Sequence, residues 1–161
     1  MKYLFLTASS FLAIVAQLIA GKHFFLFDFL DLPLILVAYW AMYRHRIQAL
    51  LIGSVAGILL DASIGWPLGF NGFGKTLAAY LIGAAAKRFN LEGTVVRIAL
   101  ISASSSASSL SIFILFGLLQ KGSSDIFLGA ALMQAGITGA VGAVVLSLVD
   151  AYNRTRPNRV N

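Results

Sequence analysis

Long apolar stretches, each closed by basic residues or by a glycine and proline break, run through this chain from end to end. Tyr3–Ala20, Val96–Leu119 and Phe127–Val149 are read almost without a charge. A lipid core about 30 Å thick needs about 20 mostly apolar residues in a helix rising 1.5 Å per residue, and these stretches have that length. Water is the wrong solvent for them. The 161 residues are 59% hydrophobic and 11% charged, whereas a soluble domain has about a quarter of its residues charged. A soluble core could not hide so much apolar surface. The fold class that follows is an all-α integral membrane protein.

The chain divides into six expected spans, approximately 3–20, 29–43, 47–60, 68–86, 96–119 and 127–149. Span one begins after Lys2 and ends before Gly21-Lys22-His23. A cleaved signal peptide shares the basic start, but its apolar region is about 7 to 15 residues with a small-x-small cleavage site, which Leu18 and Ala20 make poorly; a retained helix is expected. In span two the strongly apolar part, from Leu32, is short. Asp31 is placed to cap its first turn, and Pro33 stands where proline removes no intrahelical bond. Arg44, His45 and Arg46 close it. Gly65-Trp66-Pro67 separates spans three and four, and Lys87-Arg88 ends the latter. Six spans use roughly 120 residues, so one polytopic domain over 1–161 is expected, with no separate soluble domain.

Charge placement orients the spans. An even number puts the N-terminus, the second and fourth loops and the tail on one side, which carries Lys2, Arg44, Arg46, Lys87, Arg88, Arg97, Arg154, Arg156 and Arg159. The other side carries only Lys22 and Lys121, with Lys75 inside span four. By the positive-inside rule both termini are cytoplasmic. The net charge of +6 does not signal nucleic acid, because the basic residues punctuate apolar runs instead of forming one water-facing patch. The absence of cysteine removes disulfides, thiolate metal sites and cysteine nucleophiles.

No catalytic cluster, metal-ligand set or phosphate-cradling loop emerges from the pattern, and His23 and His45 fall at opposite faces. No enzyme, metal or cofactor is expected. The informative residues are Asp61 and Lys75, since ionisable groups within spans are costly and face the bundle interior or a watery cavity. Asp61 lies about 21 Å along span three, roughly 9 Å below the outer edge of the core, and Lys75 about 10 Å below the same edge. Two opposite charges at one depth on antiparallel neighbours can pair, directly or through Asn71 and water; alternatively each snorkels to the outer surface. Gly53, Gly57 and Asp61 share one helix face, where another backbone can come close, and Gly136, Ala140, Ala143 and Ser147 make a similar one. Either face serves internal packing or a partner protein. The serines from Ser102 to Ser111 are too many for one face, so some must bond back to their own helix carbonyls, unless a subset lines a polar cavity.

The run Asp31-Leu-Pro-Leu-Ile-Leu-Val-Ala-Tyr-Trp-Ala-Met, then Ile52-Gly-x-x-x-Gly-x-x-x-Asp61, Pro67-Leu-Gly-Phe-Asn71 and Tyr80-Leu-Ile-Gly, resembles the rod shape-determining protein MreD family. The match is clear over Asp31 to Arg88. It implies a non-catalytic scaffold subunit in the bacterial cytoplasmic (inner) membrane, serving cell elongation and peptidoglycan synthesis. The implied partners are MreC, the actin-like MreB, and RodA with its penicillin-binding-protein partner. Membrane lipid and a second copy of the chain are further possible partners. It also implies a six-helix bundle like the substrate-binding subunits of energy-coupling-factor transporters, which leaves a small-molecule-binding subunit as the alternative. A pocket for such a molecule needs convergent polar groups; these are scarce here, which favours the scaffold, and Asp61, Asn71, Lys75 and the span-five serines are the one credible set. Gly53, Gly57, Pro67, Gly69 and Tyr80 complete the motif residues expected to matter.

Cysteines introduced at Lys22 and Lys121 should react with a membrane-impermeant maleimide applied from outside, while cysteines at His45 and in the tail should not. The reverse pattern would refute the orientation.

Overall fold

The computed structural model describes residues 30–43, 45–88, 93–119 and 127–155, together with Leu12 and Val15. Five helices fill these segments: α1 Leu32–Tyr43, α2 Arg46–Ile64, α3 Phe70–Ala85, α4 Thr94–Leu118 and α5 Phe127–Thr155. No strand occurs among the described residues. Apart from Leu12 and Val15, the first expected span lies outside them. Three segments, Arg46–Ile64, Thr94–Leu118 and Ala131–Tyr152, are long and apolar enough to cross a membrane, and α1 is a shorter apolar helix.

Helices α2 to α5 pack in chain order, as short connections between neighbours dictate, and α1 lies against all four. The sequence of α1 explains this position. LPLILVAYWAMY has no polar face, and a helix that is apolar all round is stable where it is surrounded. Leu34, Val37 and Ala38 are wholly buried and join Ile52, Ile82, Ile101 and Leu146 in the core. Its twelve residues rise only about 18 Å, so Asp31, at its start, is carried well inside the bundle.

Close approach of α2 to α3 rests on the glycines. A Cβ at Gly53 would stand 2.8 Å from the Lys75 carbonyl oxygen, and one at Gly57 would overlap the Asn71 carbonyl and the Gly72 Cα. Of the two roles open to this face, internal packing is the one it has. On α5 the expected small face is inward only in part: Ala143 is fully buried but Gly136 and Ala140 are exposed, whereas Gly139 meets Ser102 and Gly142 meets Ile101 and Ile35. The inward side of α5 runs through Thr138, Ala143 and Leu146, all fully buried.

The serines of α4 divide as expected. Ser106 donates to the Ser102 carbonyl at 3.0 Å and Ser111 to the Ala107 carbonyl at 2.7 Å. Ser108 packs where Gly74 of α3 leaves room.

Gly57→Ala should lower the melting temperature of the detergent-solubilised protein, with a cost of about 1–3 kcal/mol for overpacking against rigid backbone. Gly136→Ala meets nothing within 4 Å and gains helix propensity of up to about 1 kcal/mol, so its melting point should hold or rise. Equal behaviour of the two variants would contradict the packing described.

A candidate polar site in the membrane core

Where α2 ends and α3 begins, the backbone must satisfy two helix termini without water. Gly65 adopts the left-handed conformation, φ 71°, and its N–H donates to the Asp61 carbonyl, as does the Trp66 N–H at 3.0 Å. This is a glycine C-cap, favoured because glycine has no Cβ to clash. Half-buried Pro67 follows. Gly69, φ 101°, is the residue before α3 and has no side chain with which to cap it.

The Asp61 carboxylate does that work from the preceding helix. Its Oδ2 accepts the Gly69 N–H at 2.9 Å, both oxygens lie 3.1 Å from the Asn71 nitrogen, and Oδ1 accepts the Asn71 side-chain amide at 2.8 Å. The acid is fully buried. Its negative charge stands at the α3 N-terminus, where the helix dipole favours it, and hydrogen bonds to an ionised acceptor are the strong kind. Thus Asp61 closes α2 with its carbonyl and opens α3 with its side chain.

Asp61 and Lys75 do not pair, nor does either snorkel. Lys75 is 1% exposed and its Nζ donates to Asp31 Oδ2 at 2.5 Å. Asp31 was expected only as a cap, and that role is confirmed: Oδ1 accepts the Leu34 N–H at 3.0 Å. It also receives Lys75, and its own N–H donates to Thr138 Oγ1 of α5 at 3.1 Å. One buried aspartate therefore joins α1, α3 and α5. Lys75 selects it because the hydrogen-bonding capacity of Asp61 is already directed to the start of α3.

A second ion pair, Arg97 with Asp150, clasps α4 to α5. The sequence reading counted Arg97 only as an orienting charge. Among the other motif residues, Gly53 and Gly57 lie in the α2–α3 contact and Tyr80 is half-exposed beneath the Arg46 guanidinium, 4.3 Å from its ring centroid. Gly53, Gly57, Asp61, Asn71 and Lys75 are thus gathered along one helix contact, while Tyr80 stands apart.

The outward surface reverses the pattern of a soluble protein. Leu51, Ile58, Phe73, Leu110, Leu132 and Leu148 are exposed, whereas Asp31, Asp61, Asn71 and Lys75 are buried. Charged groups enclosed by a bundle with an apolar perimeter define a helical transmembrane protein. The chain belongs to the family of the rod shape-determining protein MreD, whose family model matches residues 1–150. It is therefore a membrane protein of cell-shape determination, from a family of structural proteins. Comparison with curated proteins and with solved structures found no match.

Asp31→Asn keeps an N-cap acceptor and removes the charge, while Lys75→Met replaces the ammonium with an apolar chain of similar length. Each single change strands a buried charge and should cost about 3–5 kcal/mol, and the double change should recover much of that. A double-mutant cycle on unfolding in mixed micelles reads the coupling. Additive losses would refute the pair.

Proposed function

We propose that this protein is a non-catalytic scaffold of the cell-elongation complex, binding MreC and linking it to MreB and to RodA with its penicillin-binding-protein partner. It acts as one six-span domain in the inner membrane, with both termini cytoplasmic and a bundle like that of energy-coupling-factor binding subunits. The observation that carries this reading, beside the family, is how the buried polar groups are used. Lys75 is bound to Asp31, and the Asp61 carboxylate to Gly69 and Asn71. A ligand pocket requires polar groups aimed into a cavity, whereas these face one another and hold helices together. Asp61, Asn71, Lys75, Gly53, Gly57, Pro67 and Gly69 then serve by fixing the shape that partners meet. Recognition falls to the apolar perimeter and the ends of the helices.

Depleting the protein in its own rod-shaped host should give rounded, widened cells, with growth unaffected by vitamin supplementation. Normal shape combined with a nutrient requirement would favour the small-molecule-binding subunit instead.

A further inference from the structure

We infer that the end of the bundle formed by the start of α2 and the end of α3 binds the phosphate of an anionic phospholipid head group, through Arg46, Tyr80 and Lys87. Arg46 is the first residue of α2, yet its side chain runs across to α3. Its Cγ would stand 3.6 Å from a Cβ at Gly83, and the guanidinium lies over Tyr80. Gly83 thus provides the trough in which the arginine stem rests. Stacking engages the face of a guanidinium and leaves its N–H edge able to donate, in the fork that suits a phosphate.

The acids among the described residues are already engaged. Among the described residues Asp31 holds Lys75, Asp150 holds Arg97, and Asp61 caps α3. Arg46 has no carboxylate partner there, and Lys87 and Arg88 are exposed beyond the end of α3. Tyr80 and Gly83, three apart, share one side of α3, and Lys87 follows in the turn just past its C-terminal end. Tyr80 is 48% exposed, which opens the position to the bilayer. A fixed arginine, an aromatic ring and a nearby lysine at a helix end match the basic inter-helix sites that take anionic lipid head groups. This inference rests on the membrane assignment and not on the scaffold role.

Native mass spectrometry of the full-length protein, offered equal phosphatidylglycerol and phosphatidylcholine, tests it. The wild type should retain phosphatidylglycerol in roughly tenfold preference, the effect of one good charge-assisted contact. Arg46→Ala/Lys87→Ala should bring the ratio near parity, and Arg46→Lys, which keeps charge but loses the planar fork, should fall between. Lys22→Ala/Lys121→Ala removes the same charge elsewhere and should keep the preference. Should Arg46→Ala fail to fold, Arg46→Lys/Lys87→Gln decides the matter by the same ratio. Parity in the wild type, an unchanged ratio in the Arg46 variants, equal loss in the control, or displacement of lipid by millimolar inorganic phosphate would each overturn the site. Carbonate extraction keeps the two claims separate: a protein that stays with the membrane but shows no lipid preference lacks the site and is still a membrane protein.

Discussion

Everything in this bundle depends on satisfying polar groups without water. A helix leaves four N–H groups without partners at its start and four carbonyls at its end, and inside a bilayer each unsatisfied group costs several kcal/mol. The turn between α2 and α3 is where that requirement is sharpest. Asp61 meets it twice, through a carbonyl that accepts two N–H groups of the α2 C-cap and a carboxylate that accepts those of Gly69 and Asn71. Substituting its side chain would leave the carbonyl's two bonds in place and unfasten the start of α3. The spacing of Asp61 to Gly65 and Gly69 follows from geometry: four residues complete the last turn of one helix, and four more reach the cap position of the next.

Burial of Asp31 with Lys75 follows from the shortness of α1. A helix too short to cross by itself carries its capping residue into the bundle, and a capping carboxylate there needs a cation. Lys75 reaches it from α3 and Thr138 accepts its backbone N–H from α5. Buried pairs are weak sources of net stability, because desolvation offsets most of the attraction. What such a pair fixes is register: α1 cannot slide along α3 without stranding both charges. The glycines of α2 act in the same direction, since the close contact at Gly57 admits only one alignment of the two helices.

Much of this is legible in the amino-acid sequence. For the five described helices, apolar run lengths match the bounds to within a few residues, except that α2 and α5 continue beyond the expected ends to Ile64 and Thr155. The α2 continuation has a physical reason, since burial of Asp61 lets the helix pass through an acid that the reading treated as a boundary. The Gly53, Gly57 and Asp61 face was read correctly as a shared side of one helix. Adjacent spans alone point to Asp61 as the partner of Lys75, whereas the partner, Asp31, lies on a helix that is not its neighbour in sequence. Asp31 stands about 18 Å from the C-terminal end of α1 and Lys75 about 15 Å from that of α3, so depth counting over all helices makes Asp31 a rival. Arg97 and Asp150 carry a signal too: they lie at nearly equal distances from the facing ends of α4 and α5, as two residues at one depth of antiparallel neighbours do. Thr138 had no such mark, because nothing in a sequence says which threonine will meet a backbone N–H 107 residues away.

A division of labour between inside and outside follows from these choices. Asp31, Lys75, Asp61 and Asn71 are engaged with one another or with helix ends in the interior, and the described perimeter is mostly leucine, isoleucine, valine and phenylalanine. Such a surface gives a partner helix no net hydrophobic advantage over lipid, because acyl chains are as apolar as the side chains they would replace. Association must then come from shape, and shape has value only if it is fixed. The buried carboxylates therefore matter to the outer surface: by holding α1, α2 and α3 in one register, they keep the apolar face they do not touch in a single form.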